Sequence, residues 1–325
     1  MNIPHGQRGF SLIELMIALV LGLGVVAAVA TLSLNATGSY RALNQSGQKI
    51  ENGRYAMSIL KDDLEHAGFF GRYSPAHPPP DAVLALANPL DPCNISLLTT
   101  SPYPVFFLPV VGYDTLSSSC ITNRVTNTGV LLIRRAETQP VSSRDAGYAY
   151  IQTHPAHNTA EIFTNSAGTE VDGWRLLTHI YYIRSYSSTL GDNIPTLVQV
   201  SLEKSGTNPD FQPQPIIDGI ENLQLEYGLD AAPLTDCANE KPVRDDGSPN
   251  RYYRASEITC WKDWSNVVSV RVHLLARSTD SDASFTDSKT YVLGSVSVTP
   301  TDTHYRRNVY TQSVRVVHSS SRREK

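Results

Sequence analysis

Proline is missing between Pro4 and Pro75, and no charged residue occurs between Leu15 and Leu34. The first absence leaves a long helix unbroken, because proline removes a helical donor and clashes with the preceding turn. The second leaves a run of about 20 apolar residues, the length that crosses a bilayer core as a helix. Also missing are G-x-S-x-G, a phosphate-binding Walker loop and H-E-x-x-H, so no recognisable hydrolase, nucleotide or zincin signature is present. Cysteine is scarce, four in 325 residues, and no pair has the C-x-x-C spacing of a zinc site. Excess positive charge is lacking as well. A net charge of -4 and a pI near 6.1 argue against a broadly basic nucleic-acid surface.

What is present begins with Gly9-Phe10-Ser11-Leu12-Ile13-Glu14-Leu15, directly before the apolar run. A secretory signal would place its cleavage site after the apolar region. Here the order is inverted: a short leader whose only Lys or Arg is Arg8, then Gly9 before a large apolar residue, then a carboxylate at the edge of the membrane segment. An ionisable group in that position is costly and calls for a partner. Cutting after Gly9 would put the new Phe10 amine one helical turn from Glu14, on the same face. In an assembly the carboxylate would meet a neighbour's amine instead and set the register between subunits.

Gly9 through Ala18 (GFSLIELMIA) resembles the class III signal of type IV prepilins and pseudopilins. The resemblance implies cleavage between Gly9 and Phe10 by a prepilin peptidase, methylation of the Phe10 amine, and Glu14 as the assembly carboxylate. Many pilins have a proline partway through the apolar half, where this chain has Thr31.

Beyond Leu34 the pattern becomes amphipathic, with Ile50, Gly53, Met57, Leu60, Leu64 and Ala67 at spacings of three and four, a face that packs on a globular domain. Gly68 and Gly71 act as stop signals. From Phe10 to Ala67 an unbroken helix would span roughly 87 Å at 1.5 Å per residue. Glu51-Asn52-Gly53-Arg54-Tyr55-Ala56-Met57, Leu60 to Leu64, and Ala67-Gly68-Phe69-Phe70-Gly71 resemble the PilW group of minor pilins. That group often places a cysteine where this chain has Arg72, so the resemblance implies no disulfide pattern.

The remainder reads as β structure. Tyr73 to Pro92 is a proline-rich connector, followed by strand-like runs at Val105–Val111, Gly129–Arg134, Ala149–Thr153, Glu161–Thr164, Leu177–Ser185 and Leu197–Leu202. Ile216 to Asp230 resembles a second segment of the group, a turn or short helix leading into a strand. Further strands are expected at Val267–Arg277, Thr290–Val298 and Val309–Val317, and Tyr305 to Tyr310 resembles the group's closing segment. The expected fold class is α+β: a long N-terminal pilin helix, transmembrane then amphipathic, packed on a mainly antiparallel β-sheet head. The expected boundaries are a leader at 1–9, a helix at 10–71 with its transmembrane part at about 15–34, and a periplasmic or extracellular head at 72–325.

Cys93, Cys120, Cys237 and Cys260 read as two disulfides in an oxidising compartment. Sequence neighbours would pair Cys93 with Cys120 and Cys237 with Cys260, although four cysteines allow three pairings. His154 and His157 flank a proline without a nearby carboxylate, and Asp230, Asp236, Asp245 and Asp246 lack compact calcium-loop spacing. An exposed loop is the plainer reading of both, and no metal or other cofactor is expected. Trp261 and Trp264 offer an aromatic tip-contact platform if exposed, with core packing beside a disulfide as the commoner alternative. Arg306, Arg307, Arg322, Arg323 and Lys325 read either as a contact for phosphates or anionic lipid or as a solvated tail.

These features imply a structural protein, not an enzyme: a minor pilin that primes or joins type IV pilus assembly, with motility, attachment and DNA uptake following indirectly. The implied partners are other minor and major pilins, the prepilin peptidase, the inner-membrane assembly platform and membrane lipid, with no direct nucleic-acid contact. The implied location is the inner membrane as a single-pass precursor with a periplasmic head, then the fibre near its tip. Two alternatives share the leader and helix: a minor pseudopilin of a type II secretion system, and a tip adhesin.

Overall fold

The computed structural model describes residues 9, 11–75, 91–99, 104–154, 156–164, 167–230 and 246–323. It divides into two compact units, Met1–Gln48 and Lys49–Lys325.

Helix α1 runs from Leu12 to His66 and contributes to both units. In the first unit its stretch Leu12–Ser33 has a mean hydropathy of 2.7 over 22 residues and no buried residue. Among the described residues it is the one helix long and apolar enough to cross a membrane. At Thr31 the helix continues, and the hydroxyl donates back to the Ala28 carbonyl at 2.8 Å.

In the second unit α1 buries Gly53, Ala56, Met57, Leu60, Asp63 and Leu64, with Ala67 just beyond its end. Fully burying a leucine is worth roughly 1.5–3 kcal/mol, so Leu60 and Leu64 alone anchor this half firmly. Two differences from the amphipathic reading stand out. Ile50, expected on the apolar face, is 41 % exposed, whereas Asp63, a carboxylate, sits inside that face. The helix stops at Gly68, whose φ of +80° is open to glycine at low cost and whose amide donates to the Arg134 carbonyl at 3.0 Å.

The head carries two larger sheets, built from antiparallel pairs. The first contains β1 (Val110–Tyr113), β2 (Val130–Ala136), β3 (Val141–Arg144), β4 (Ala149–His154), β5 (Thr159–Thr164), β6 (Gly168–Arg184), β7 (Thr196–Ser205) and β8 (Asn208–Asp218). The 17-residue β6 is its spine, pairing with β2, β3, β4 and β7. The second sheet has the order β10 (Arg251–Tyr253), β9 (Ile220–Leu229), β11 (Val267–Arg277), β14 (Arg307–Arg315), and a hairpin of β12 (Tyr291–Leu293) and β13 (Val296–Val298) stands beside it. The two sheets meet closely at Gly112. A Cβ there would fall 1.8 Å from the Tyr227 hydroxyl oxygen, so only glycine lets β1 approach β9.

Several expected strands occur with shifted ends. Val105–Val111 is different: it begins as a 3₁₀ turn, Pro104–Phe106, and pairs only from Val110, because Pro104 and Pro109 cannot donate to a ladder. Ile216–Asp230 has no short helix; β8 passes into β9 through Gly219, with φ +77°. β8 itself includes Pro209, Pro213 and Pro215 and was not expected as a strand. It is an edge strand, bonded among the described residues to β7 alone, where missing donors are tolerated. Most of the proline-rich connector, 76–90, lies outside the described residues.

Candidate functional site

Two places on α1 carry polar chemistry within or against an apolar surface. The first is its start. Ser11 precedes the helix, Glu14 is its third residue, and the Glu14 Oε2 accepts the Ser11 amide at 3.0 Å. Serine before a helix with glutamate three residues on is the spacing of a capping box, and this bond supplies its carboxylate half. A negative charge in the first turn also complements the helix dipole. Gly9 is exposed, and Phe10 lies outside the described residues.

The second place is Asp63. Its Oδ1 accepts Arg135 Nε of β2 at 2.6 Å; its Oδ2 lies 2.7 Å from His179 Nδ1 and accepts the Tyr181 hydroxyl at 3.0 Å, both from β6. Asp63 is 3 % exposed, so its charge depends on these partners. Burial pushes its carboxyl pKa up, but the His179 charge and hydrogen bond, with Arg135, outweigh it and hold the pKa at about 2. Burial raises the Tyr181 phenol, and the neighbouring Asp63 charge raises it further. A groove of about 580 Å³ opens over this cluster, rimmed by Ser58, Lys61, Asp62 and Gln199. The arrangement fastens helix to sheet. Sequence periodicity missed it, because Asp63 reads as the polar edge of the stripe.

Two further contacts hold this half of α1. Asn52 Nδ2 donates to the Asp218 carbonyl at 3.0 Å. Gly53 faces Tyr310 of β14, where a Cβ would fall 2.2 Å from the ring.

Of the cysteines, Cys93 and Cys120 form a disulfide, the pairing of sequence neighbours. Cys260 is also disulfide-bonded, and the Cys237 candidate lies outside the described residues.

Trp264 corrects the tip-platform expectation. It is 2 % exposed and packs edge-on against Tyr227 at 4.8 Å, because the helical turn Trp261–Ser265 follows Cys260 straight into the core. The side chain of Trp261 lies outside the described residues. The basic candidates are corrected in part. Arg307 makes a bidentate pair with Glu221 at 2.6 and 3.0 Å, Arg306 pairs with Asp282 at 3.0 Å, and Arg323 donates to the Asp230 carbonyl at 3.0 Å. Burial, then Arg323, lowers the Arg322 pKa to about 10. These residues brace the head from within; Lys325 lies outside the described residues.

No group of three metal-ligating side chains occurs among the described residues. His154 ends β4 and the exposed His157 follows in the turn to β5, and the buried Asp230 accepts the Gly247 amide at 2.8 Å. Asp246 is exposed, while Asp236 and Asp245 lie outside the described residues.

Residues 4–31 match the family model of the prokaryotic N-terminal methylation motif, the stretch that contains Glu14 and the apolar helix. Residues 180–317 match that of type IV pilus-assembly protein W, from the end of β6 to the turn after β14. No curated protein and no solved structure matches the chain. The motif and the apolar helix support a membrane-anchored precursor associated with a pilus. The motif at one end and the match over residues 180–317 of the β-rich head make the chain similar to type IV pilus-assembly protein W and support a type IV pilus-related pilin.

Proposed function

We propose that the protein is a minor pilin, held in the inner membrane as a precursor, cut between Gly9 and Phe10, methylated on the Phe10 amine, and taken into a type IV pilus. The observation that carries this reading is one chain holding both the methylation motif and the PilW match, with an apolar helix directly behind the motif. Its work is templating. The Leu15–Leu34 stretch bundles with the helices of other pilins, Glu14 exchanges its Ser11 contact for an amine as the helix enters the bundle, and the head sits near the fibre tip, where it helps prime assembly. Retraction-driven motility, attachment and DNA uptake depend on it through the fibre.

N-terminal sequencing and mass measurement of the protein from membranes and sheared fibres, with Glu14→Ala beside the parent, test this. The expected result is a chain starting at methylated Phe10, with parent but not variant in the fibre fraction. An intact Met1 terminus in cells with active prepilin peptidase would overturn it.

A further inference from the structure

The end of a β-sheet is a row of unpaired main-chain donors and acceptors, and native chains blunt it with prolines, charges, bulges or brevity. Most edges of the head are blunted in this way. β8 has its three prolines, β1 and β10 are four and three residues long, and β5 carries the exposed Glu161 in mid-strand. β14 is the exception. It pairs with β11 alone, through nine consecutive partners without a register shift, and from Asn308 to Val314 it has neither proline nor charge.

Which groups of β14 face outwards follows from the ladder. At its two ends the Val316 amide donates to the Val268 carbonyl and the Arg306 carbonyl accepts the Ser278 amide, so the even-numbered residues are the ones bonded to β11. The main-chain groups of Val309, Thr311 and Ser313 therefore point away from it. No hydrogen bond from another described residue reaches them, and Thr311 and Ser313 are exposed. The surroundings of this edge are cationic. Arg315 is exposed at one end, and Lys49 of α1 lies beside Tyr310, whose hydroxyl is 3.4 Å from the Lys49 carbonyl oxygen. Burial lowers the Lys49 pKa, with Arg306 and Lys289 adding to the effect and Asp287 opposing it. Arg306 is paired with Asp282, but neither lysine makes an ion pair among the described residues.

An open edge of this kind takes a strand, either from a second copy or from another chain. Two copies paired antiparallel about Thr311 would bring the Arg315 end of each to the Lys49, Lys289 and Arg306 side of the other, and like charges placed opposite one another are destabilising. A strand of the opposite sign meets no such conflict. We propose that the β14 edge takes in an extended, acidic segment of another chain, which adds a strand to the second sheet through main-chain hydrogen bonds to Val309, Thr311 and Ser313. The pairing does not depend on the packing of the Leu15–Leu34 stretch, so its failure leaves the pilin reading standing.

The test is fluorescence anisotropy on the full chain in a zwitterionic detergent, with the fluorescein-labelled peptide Glu-Thr-Val-Thr-Val-Thr-Glu as probe. Saturable binding is expected, about tenfold weaker when lysine replaces both glutamates. The acidic peptide N-methylated at every amide keeps its charge but has no donors, and should not bind. Val309→Pro/Ser313→Pro removes two outward donors, spares the ladder to β11 and should abolish binding, with near-UV circular dichroism confirming that the variant is folded. Absence of saturable binding, equal binding of the lysine peptide, or binding retained by the N-methylated peptide or by the folded proline variant would overturn the proposal. So would self-association of the parent that the proline variant lacks, which gives the edge to a second copy.

Discussion

Asp63 of α1 and His179 of β6 lie 2.7 Å apart although 116 residues separate them in sequence, and the contact is closed to solvent on the helix side. Replacing Asp63 with alanine leaves Arg135 and His179 facing a buried gap. Breaking such a pair by removing one partner costs about 3–5 kcal/mol. Urea unfolding of the detergent-held chain, followed by near-UV circular dichroism, should show that loss, and Asp63→Asn should lose less because it keeps the shape.

The same carboxylate sets an acid dependence. Its folded pKa of about 2 lies below the ordinary aspartate value of 3.8, so the unfolded chain binds its proton first as pH falls. The stabilisation is fully present above about pH 4 and is lost progressively as pH falls through about 2. It amounts to about 2 kcal/mol at 1.36 kcal/mol per pKa unit. Between those limits the pH slope of the unfolding free energy should be shallower in Asp63→Asn than in the parent, and equal slopes would assign the pKa shift elsewhere.

Gly53 and Tyr310 form a second helix contact with no room for a methyl group. Gly53→Ala should destabilise by about 1–3 kcal/mol, the range for overpacking, despite alanine's better helix propensity. Adding Tyr310→Ala should return part of that loss. A coupling energy near zero in the double-mutant cycle would count against the contact.

Reducing the Cys93–Cys120 disulfide, or replacing both cysteines by serine, should cost about 3 kcal/mol, because it frees a closed loop of 27 residues' separation in the unfolded chain. The thermal midpoint with and without reductant measures this directly.

His318 should destabilise the head in mild acid. Burial, with Arg322 and His66 nearby, lowers its pKa, so folding favours the neutral ring packed on Phe69. That contribution is present above the unfolded value of about 6.5 and fades as pH falls through the lowered one. In His318→Phe the decline in melting temperature on going from neutral to mildly acidic buffer should flatten.

Much of this molecule follows from local pattern. The apolar run, the glycine stop at Gly68 and alternation in Val267–Arg277 were legible because each depends on neighbours in sequence. Asp63 was not. Its importance arises from Arg135 and His179, brought to it by sheet register, and a carboxylate beside Asp62 reads as solvated until those partners are placed. Arg323 was hidden for the same reason, since a basic tail reads as solvated by composition, whereas for Trp264 composition left core packing as the commoner alternative to a platform. Both residues are 2 % exposed because the chain turns inwards at Cys260 and again after β14.

β8 has one more consequence. Pro209, Pro213 and Pro215 share one parity along the strand, facing Lys204, Val200 and Val198 of β7. Donors of that parity are the ones an edge strand would offer outwards, and three of them do not exist. A neighbouring head pressed against this rim cannot extend the sheet. Crowding many heads along a membrane or a fibre therefore carries little risk of fusing them through this edge, and the choice of neighbours is left to side chains and to the helices.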